Sequence, residues 1–367
     1  MIEFDPGPSD SLTKSSSRRP SPLRVKVLGI GGAGCSILSR LSFLSSDRIE
    51  FFALNSDRRS LEVCEVEKKV QLGESIVGGW GAGGNPQLGR QIALGEKNRI
   101  KEILKGASLL FLVSGLGKGT GTGVSPVVAQ LAREMSILTV GFAILPFSFE
   151  GEKRAAQARE GLRDLEKAVD ALMVISNDDL LNDLEESSSL KEGFKTIDGI
   201  LEKLIQTTDN LLFHSGLISV DFADLKSLLE RKGHLSIAIG TGKGEEAAQE
   251  AARDALSFPL IEKNSLKGAQ AMLIHIMGGE KLSLSGVREA VLNVEKASSP
   301  KTEVIFGAGV DERLSDEAIL TLLVIGKEES SKGREGKRSR PQQEELDLKA
   351  YEEDDLDIPT FLRKRKN

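Results

Sequence analysis

Three stretches of this chain are built almost wholly from residues with little or no side chain: GIGGAG (29–34), GGWGAGGNP (78–86) and GLGKGTGTG (115–123). Loops of this kind expose backbone N–H groups and let a phosphate approach the main chain closely, most of all where a helix begins. GLGKGTGTG is not a Walker A loop: Lys118 is followed by Gly119, and the residue five before it is Val113. Read from Gly115 it also fails the dinucleotide fingerprint, because the sixth position is Thr120. GIGGAG fits that fingerprint and taken alone points to NAD or to a plain strand–helix turn. Two glycine loops on different strands instead suggest a chain of phosphates gripped from both sides. Ala82, Gly83 and Gly84 of the middle stretch can hold a terminal phosphate, or form a mobile surface loop. Asp221 and Asp224, three apart, form a carboxylate pair that can orient water for attack on a phosphoanhydride; Asp221 can equally be a helix N-cap. Glu150 and Arg154 have the spacing of a helix-surface ion pair.

The elements that must position these residues follow from the apolar pattern. Strands are predicted at 23–30, 49–55, 70–75, 108–115, 137–147 and 171–178, with helices after the first glycine loop, at 124–136 and at 155–169. Strands alternating with helices give a doubly wound parallel sheet, whose ligands lie at the strands' C-terminal ends. Every glycine loop lies at such an end. An apolar seam from Leu190 to Leu212 predicts one long helix. Four strands (234–242, 269–279, 302–311, 319–326) and two helices (245–256, 284–297) follow. The fold class is therefore α/β: a doubly wound parallel-sheet nucleotide-binding domain, a long central helix and a smaller α+β C-terminal domain. The predicted divisions are a disordered extension (1–22), a nucleotide-binding domain (23–189), the central helix (190–216), a C-terminal domain (217–326), a charged flexible linker (327–350) and a terminal peptide (351–367).

Composition removes several function classes. The net charge of −6 and 4% aromatic content speak against nucleic acid as a general partner. Cys35 and Cys64 make neither a disulfide framework nor a metal pattern, which suits a reducing cytoplasm. No apolar run approaches the ~18 residues of a membrane span, and residues 1–22 lack an apolar signal core.

Taken together, the motifs resemble those of the tubulin/FtsZ family, in that family's order and over nearly the whole chain. GLGKGTGTG resembles the G-G-G-T-G-T-G signature, GIGGAG the first phosphate loop, NSD (55–57) the second and GAGGNP (81–86) the third. PFSFEGEKR (146–154), SNDDLL (176–181), SVDFADLK (219–226) and DIPTFL (357–362) each resemble a further family stretch. The resemblance implies a self-assembling GTPase of a cytokinetic ring, with GTP and Mg²⁺ as ligands. It places Gly31, Gly32, Ala33, Gly34, Cys35 and Ser36 on one side of the phosphates and Gly119, Thr120 and Gly121 on the other, with Ala82 and Gly83 at the γ-phosphate. Asp57 acts through Mg²⁺ or its waters. Glu150 holds the ribose, and Arg154 the ribose or phosphate. Asn177 and Asp198 meet guanine, with Phe194 packed on the ring. Asp221 and Asp224 enter the site of the next copy in a head-to-tail polymer and are catalytic there. No residue is assigned as a direct metal ligand.

By the same resemblance, the segment Asp357–Leu362 docks onto a membrane-tethering division protein, the chain itself does not insert into the membrane, and it works in the cytoplasm at a mid-cell ring beneath the inner membrane. Three departures stand out. Lys118 replaces a glycine and either reinforces phosphate binding or points to solvent. Ser36 replaces an asparagine in the first loop. Ser219 replaces the asparagine that opens the catalytic loop, which bears on hydrolysis more than on binding. Two alternatives remain: a structural filament that binds GTP with little hydrolysis, and a dehydrogenase resting on GIGGAG alone.

Overall fold

The computed structural model describes residues 23–179, 190–213, 216–231, 233–258 and 266–326. The expectations for 1–22, 327–350 and 351–367, and those for Leu180, Leu181 and His214, lie outside these residues.

β1 (Val25–Ile30) has all six residues buried, as a strand covered on both faces requires. It runs parallel between β2 (Ile49–Asn55) and β4 (Leu109–Gly115), and β3 (Lys68–Gln71), β5 (Leu138–Leu145) and β6 (Ala171–Ser176) extend the parallel block. β7 (Gly233–Lys243) joins β6 in parallel through Ala171–Gly233 and Leu172–His234. Beyond it β10 (Glu317–Gly326) is antiparallel to both β7 and β8 (Ala269–Gly278), and β9 (Glu303–Val310) is parallel to β8. The sheet order is β3-β2-β1-β4-β5-β6-β7-β10-β8-β9.

Side-chain alternation divides the core. Val25 and Val27 of β1 face the first helix (Gly31–Arg40) and the long helix Leu190–Phe213, through Ile37, Leu38, Ile197 and Leu201. Leu28 and Ile30 face the opposite layer, where Ile92, Ile100, Leu104 and Val124 pack. Lys26 points into that second layer and is nearly buried. Its ammonium donates to the carbonyls of Ile103 (2.6 Å) and Lys105 (2.9 Å), satisfying acceptors left open at the end of the helix Lys97–Leu104. Burial lowers the Lys26 pKa, with Glu50 opposing that shift.

One expectation is corrected and one region filled in. The strand expected at 70–75 occupies Lys68–Gln71; Gly73 then turns left-handed (φ 69°), and a short helix, Glu74–Val77, follows. The region after the third glycine stretch carries two helices that the sequence reading did not assign, Pro86–Gly95 and Lys97–Leu104. Gly89 of the first has no room for a Cβ beside the carbonyl of Gly119, while Ile92 and Ala93 of the same helix face the core.

Between the long helix and the C-terminal strands lies a buried polar seam. The hydroxyls of Thr207 and Thr321 are 3.3 Å apart, and Thr321 is in register with buried His275. Burial lowers the His275 pKa from 6.5 to about 4. The folded state therefore binds fewer protons than the unfolded chain in that window. The stability due to neutral His275 is complete above pH 6.5 and is lost as pH falls toward 4, on the order of 3 kcal/mol in all. Urea unfolding at stepped pH is expected to show this slope, and a His275→Asn chain to flatten it.

Candidate glycine-loop site

β1 and β4 end in register, Ile30 beside Ser114, so their loops emerge side by side. Gly31 (φ +72°) turns β1 into its helix, and a Cβ there would meet the nitrogen of Gly121 at 2.8 Å. A Cβ on Gly115 would meet the Cβ of Ala33 at 2.6 Å. The two loops thus lock glycine against glycine, which no larger residue permits. On the other side the site is open: nothing lies within 4 Å of a Cβ built on Gly32, Gly83 or Gly84, and Ala33 and Ser36 are exposed. The third loop abuts the signature loop where a Cβ on Gly119 would meet Ala82 Cβ at 2.7 Å. Asn85 caps the helix behind it by accepting from Gln87 N (3.0 Å). Ser56 and Thr120 share a buried 2.6 Å hydroxyl contact that ties the second loop to the signature loop. Asp57 caps the helix Arg58–Glu62, accepting from Arg59 N (3.0 Å) and Ser60 Oγ (2.8 Å). The Cys35 side chain is buried beneath the loop, with its thiol pushed up to about 12 by burial and by Cys64. From that position Cys35 faces a ligand only through its main chain.

Several polar atoms at this end of the sheet are buried without a partner: Asn55 Nδ2 after β2, Ser114 Oγ on β4, Asn177 Oδ1 after β6 and Arg154 Nε. Each such group costs roughly 1–3 kcal/mol unless a ligand or water meets it. Their positions at strand C-terminal ends, around an open cradle of glycines, fit a polar, phosphate-bearing ligand. Asn55 and Ser114 were not singled out from the sequence; the NSD motif signalled Asn55, and nothing signalled Ser114. Among the described residues no group of three His, Cys, Asp or Glu side chains is poised to hold a metal. A Mg²⁺ here fits only with phosphate oxygens and water as most of its ligands.

At the next strand end, Glu150 and Arg154 form an ion pair, and Phe147 N donates to Glu150 Oε1 (2.9 Å). Burial lowers the Arg154 pKa, and Gly117 (φ +95°) packs on its Cγ. The i, i+4 pair read from the sequence is thus present, at the mouth of the site.

Asp198, buried on the long helix, accepts from Arg40 Nε (2.5 Å) and Nη2 (2.7 Å). Arg40 escaped the sequence reading because its partner is 158 residues away. The fork holds one edge of the carboxylate and leaves further lone pairs for a second donor. Asn177 is buried close after β6; Phe194 lies on the long helix, its side chain outside the described residues. An Arg40→Ala chain leaves the Asp198 carboxylate unpaired, and thermal unfolding should register a loss of about 1–3 kcal/mol; Arg40→Lys should recover only part of it.

Asp221 and Asp224 form a capping box on the helix Phe222–Leu229: Asp224 N donates to Asp221 (2.9 Å), and Asp221 N to Asp224 (3.0 Å). This helix feeds the start of β7, which pairs with the start of β6. The long helix, 24 residues and about 36 Å, carries the chain from the glycine-loop end of the sheet to this opposite end of the strands. One chain therefore does not bring the acidic pair to the glycine loops. Ser219 Oγ donates to Gly216 O (3.2 Å). Trp80 is exposed, with Arg59 stacked 5.4 Å from its ring. His234 pairs with Glu166 (3.0 Å).

Comparison with known proteins agrees with this arrangement. Residues 24–185 match the Tubulin/FtsZ family GTPase domain, and residues 233–328 the FtsZ family C-terminal domain. Among solved structures, an empty FtsZ dimer from M. jannaschii is 36% identical, with a TM-score of 0.74, covering 84% of this chain and 89% of that one. CetZ2 from Haloferax volcanii, in a GTPγS-bound protofilament, shares the fold at 23% identity, with a TM-score of 0.69, covering 85% of this chain and 96% of that one. CetZ1 from the same organism, a GDP-bound monomer, shares it at 22% identity, with a TM-score of 0.71, covering 85% and 97%. A glycine-loop site on a parallel sheet, joined by a long helix to an FtsZ-type C-terminal region, makes this chain a member of the tubulin/FtsZ family of GTPases.

Proposed function

We propose that this chain is a GTP-dependent, self-assembling cytoskeletal GTPase whose hydrolytic site is completed between copies. The observation that carries the reading is that the helix behind Asp221 and Asp224 leads into the start of β7, beside the start of β6, at the end of the sheet opposite the strand ends that bear the glycine loops. A head-to-tail contact brings one copy's acidic pair to the next copy's loops, and such a heterologous contact propagates as a filament rather than closing. The dimer of M. jannaschii FtsZ and the protofilament of CetZ2 support self-association.

In this reading Gly31–Ser36 and Gly119–Gly121 hold the α- and β-phosphates with backbone N–H groups. Ala82 and Gly83 meet the γ-phosphate. Asp57 orients Mg²⁺ or its waters, the cation supplying charge neutralisation on the phosphates when bound. Glu150 and Arg154 hold the ribose side. Asp198, fixed by Arg40, accepts from guanine N1–H and the 2-amino group, Asn177 meets O6 or N7, and Phe194 covers the ring. Asp221 and Asp224 of the adjacent copy orient water for in-line attack on the γ-phosphorus. The domain divisions at 189, 216 and 326 belong to this proposal, as do the mid-cell ring and the docking of Asp357–Leu362 on a membrane-tethering division protein. No described helix is long and apolar enough to cross a membrane.

The test is GTP turnover per subunit, with Mg²⁺, against protein concentration. A steep rise above a threshold supports the shared site; turnover flat with concentration overturns it. A second reading, a GTP-binding filament with little hydrolysis, draws on Ser219 and on the capping box, which engages both aspartates with each other's backbone. GTP binding and assembly with no turnover at any concentration would select it.

A further inference from the structure

Lys118 is the only exposed residue between Leu116 and Ala129. Its two neighbours are pinned. Gly117 packs against Arg154 and Pro146, and Gly119 against Ala82 and Asn85. The lysine therefore projects from the outward arc of the loop, immediately before the helix Thr120–Glu134 begins. Two other cations on the neighbouring loops are already committed: Arg154 to Glu150 and Arg58 to Glu62. Lys118 takes part in none of the ion pairs among the described residues. Around it the rim is bare, since Gly83 and Gly84 have nothing within 4 Å of an added Cβ.

A nucleoside triphosphate brings about four negative charges to a cradle whose glycine loops offer backbone dipoles worth roughly half a charge at a helix start, with Arg154 at its mouth already paired to Glu150. We propose that Lys118 reads the terminal phosphate, its ammonium contacting the γ-phosphate so that the site prefers a triphosphate over a diphosphate. This rests on the nucleotide reading above. The side of the site decides which phosphate is met. Gly31 and Ala33 press against Gly121 and Gly115, whereas Gly119, next to Lys118, presses against Ala82 of the third loop. Lys118 thus lies between Gly117, pressed on Arg154, and Gly119, pressed on the third loop, and on the third-loop side the open Gly83 and Gly84 leave room for the end of the phosphate chain. A four-carbon stem delivers its point charge across about 6 Å without demanding fixed geometry. Where the family signature has glycine, this chain carries the charge itself.

The experiment is calorimetric titration of the nucleotide-free full chain, below its assembly threshold, with GDP and with a non-hydrolysable GTP analogue, at low and high salt. The variants are Lys118→Gln, Lys118→Arg and Lys118→Gly. The glutamine chain should bind the triphosphate analogue roughly tenfold more weakly at low salt, with the gap shrinking at high salt. Its affinity for GDP should change less than about twofold, and the arginine chain should stay near the unaltered one. Lys118→Gly, which frees the backbone as well, should match Lys118→Gln if charge alone is responsible. A glutamine chain that binds the analogue as tightly as the original, or loses both nucleotides equally, overturns the proposal while leaving the nucleotide site intact. An unaltered chain that binds neither nucleotide overturns the nucleotide reading itself, before any variant is compared.

Discussion

An Asp221→Asn chain is expected to hydrolyse GTP at least about 100-fold more slowly than the original, a loss near 2.7 kcal/mol of transition-state stabilisation. Asparagine keeps the size and can still accept from Asp224 N, so the cap on Phe222–Leu229 survives with a small loss of stability. What disappears is the charge that, in the proposed mechanism, polarises water. The decisive form of the test is a mixture. A Gly32→Val chain blocks its own phosphate loop yet keeps both aspartates. Each variant alone should be nearly inactive. Mixed in equal amounts, the Asp221→Asn copies supply working loops and the Gly32→Val copies supply working carboxylates. Random alternation should restore roughly one quarter of the original turnover. A mixture no more active than its parts would place all the chemistry within one chain.

The second large effect separates two glycines of the same site. At Gly121 a Cβ would fall well inside 3.0 Å of the Gly115 carbonyl, and backbone there has no room to yield. Gly121→Ala should push the start of the helix Thr120–Glu134 away from Gly115 within the signature loop, costing about 1–3 kcal/mol of stability as overpacking and weakening nucleotide binding more than tenfold. At Gly32 nothing lies within 4 Å of the added atom. Gly32→Ala should leave the unfolding temperature within about a degree while still weakening nucleotide binding, because the methyl occupies space that the proposed site gives to phosphate. Differential scanning calorimetry with nucleotide titration reads both quantities. Equal unfolding shifts for the two variants would refute the assignment of Gly32 to the ligand side.

The contrast also shows what a linear sequence conveys. β1, β4 and β5 were legible because an unbroken apolar run bounded by glycine has few other uses. The long helix was legible from its seam at Ile197, Leu201, Leu204 and Ile205. The spacing of Asp221 and Asp224 gave the carboxylate pair and an N-cap at Asp221, but the reciprocal bond from Asp221 N to Asp224 came only with the structure. Lys68–Gln71 was placed late and long because two of its four residues are lysines, and only its pairing with β2 makes it a strand. Pro86–Gly95 has its own cap in Asn85, yet Gly89 reads as a breaker until the close approach of Gly119 is known. Arg40 and Lys26 were illegible for the same reason. Each ends on a group far away in the chain, and neither spacing nor composition encodes that distance.

The order of strands has a consequence for synthesis. β10, the last strand described, lies between β7 and β8 at the centre of the C-terminal part of the sheet. A chain emerging N-terminus first must hold β7 and β8 with open backbone edges until residue 326 arrives. At about 5–20 residues per second, the interval from the end of β7 at Lys243 is roughly 4–17 seconds. Through that interval Ile237, Ile239, Leu273 and Ile274 have no partner strand between them. A ribosome stalled before Glu317 would present two unpaired, apolar edges side by side, the arrangement most prone to joining with a neighbouring nascent chain.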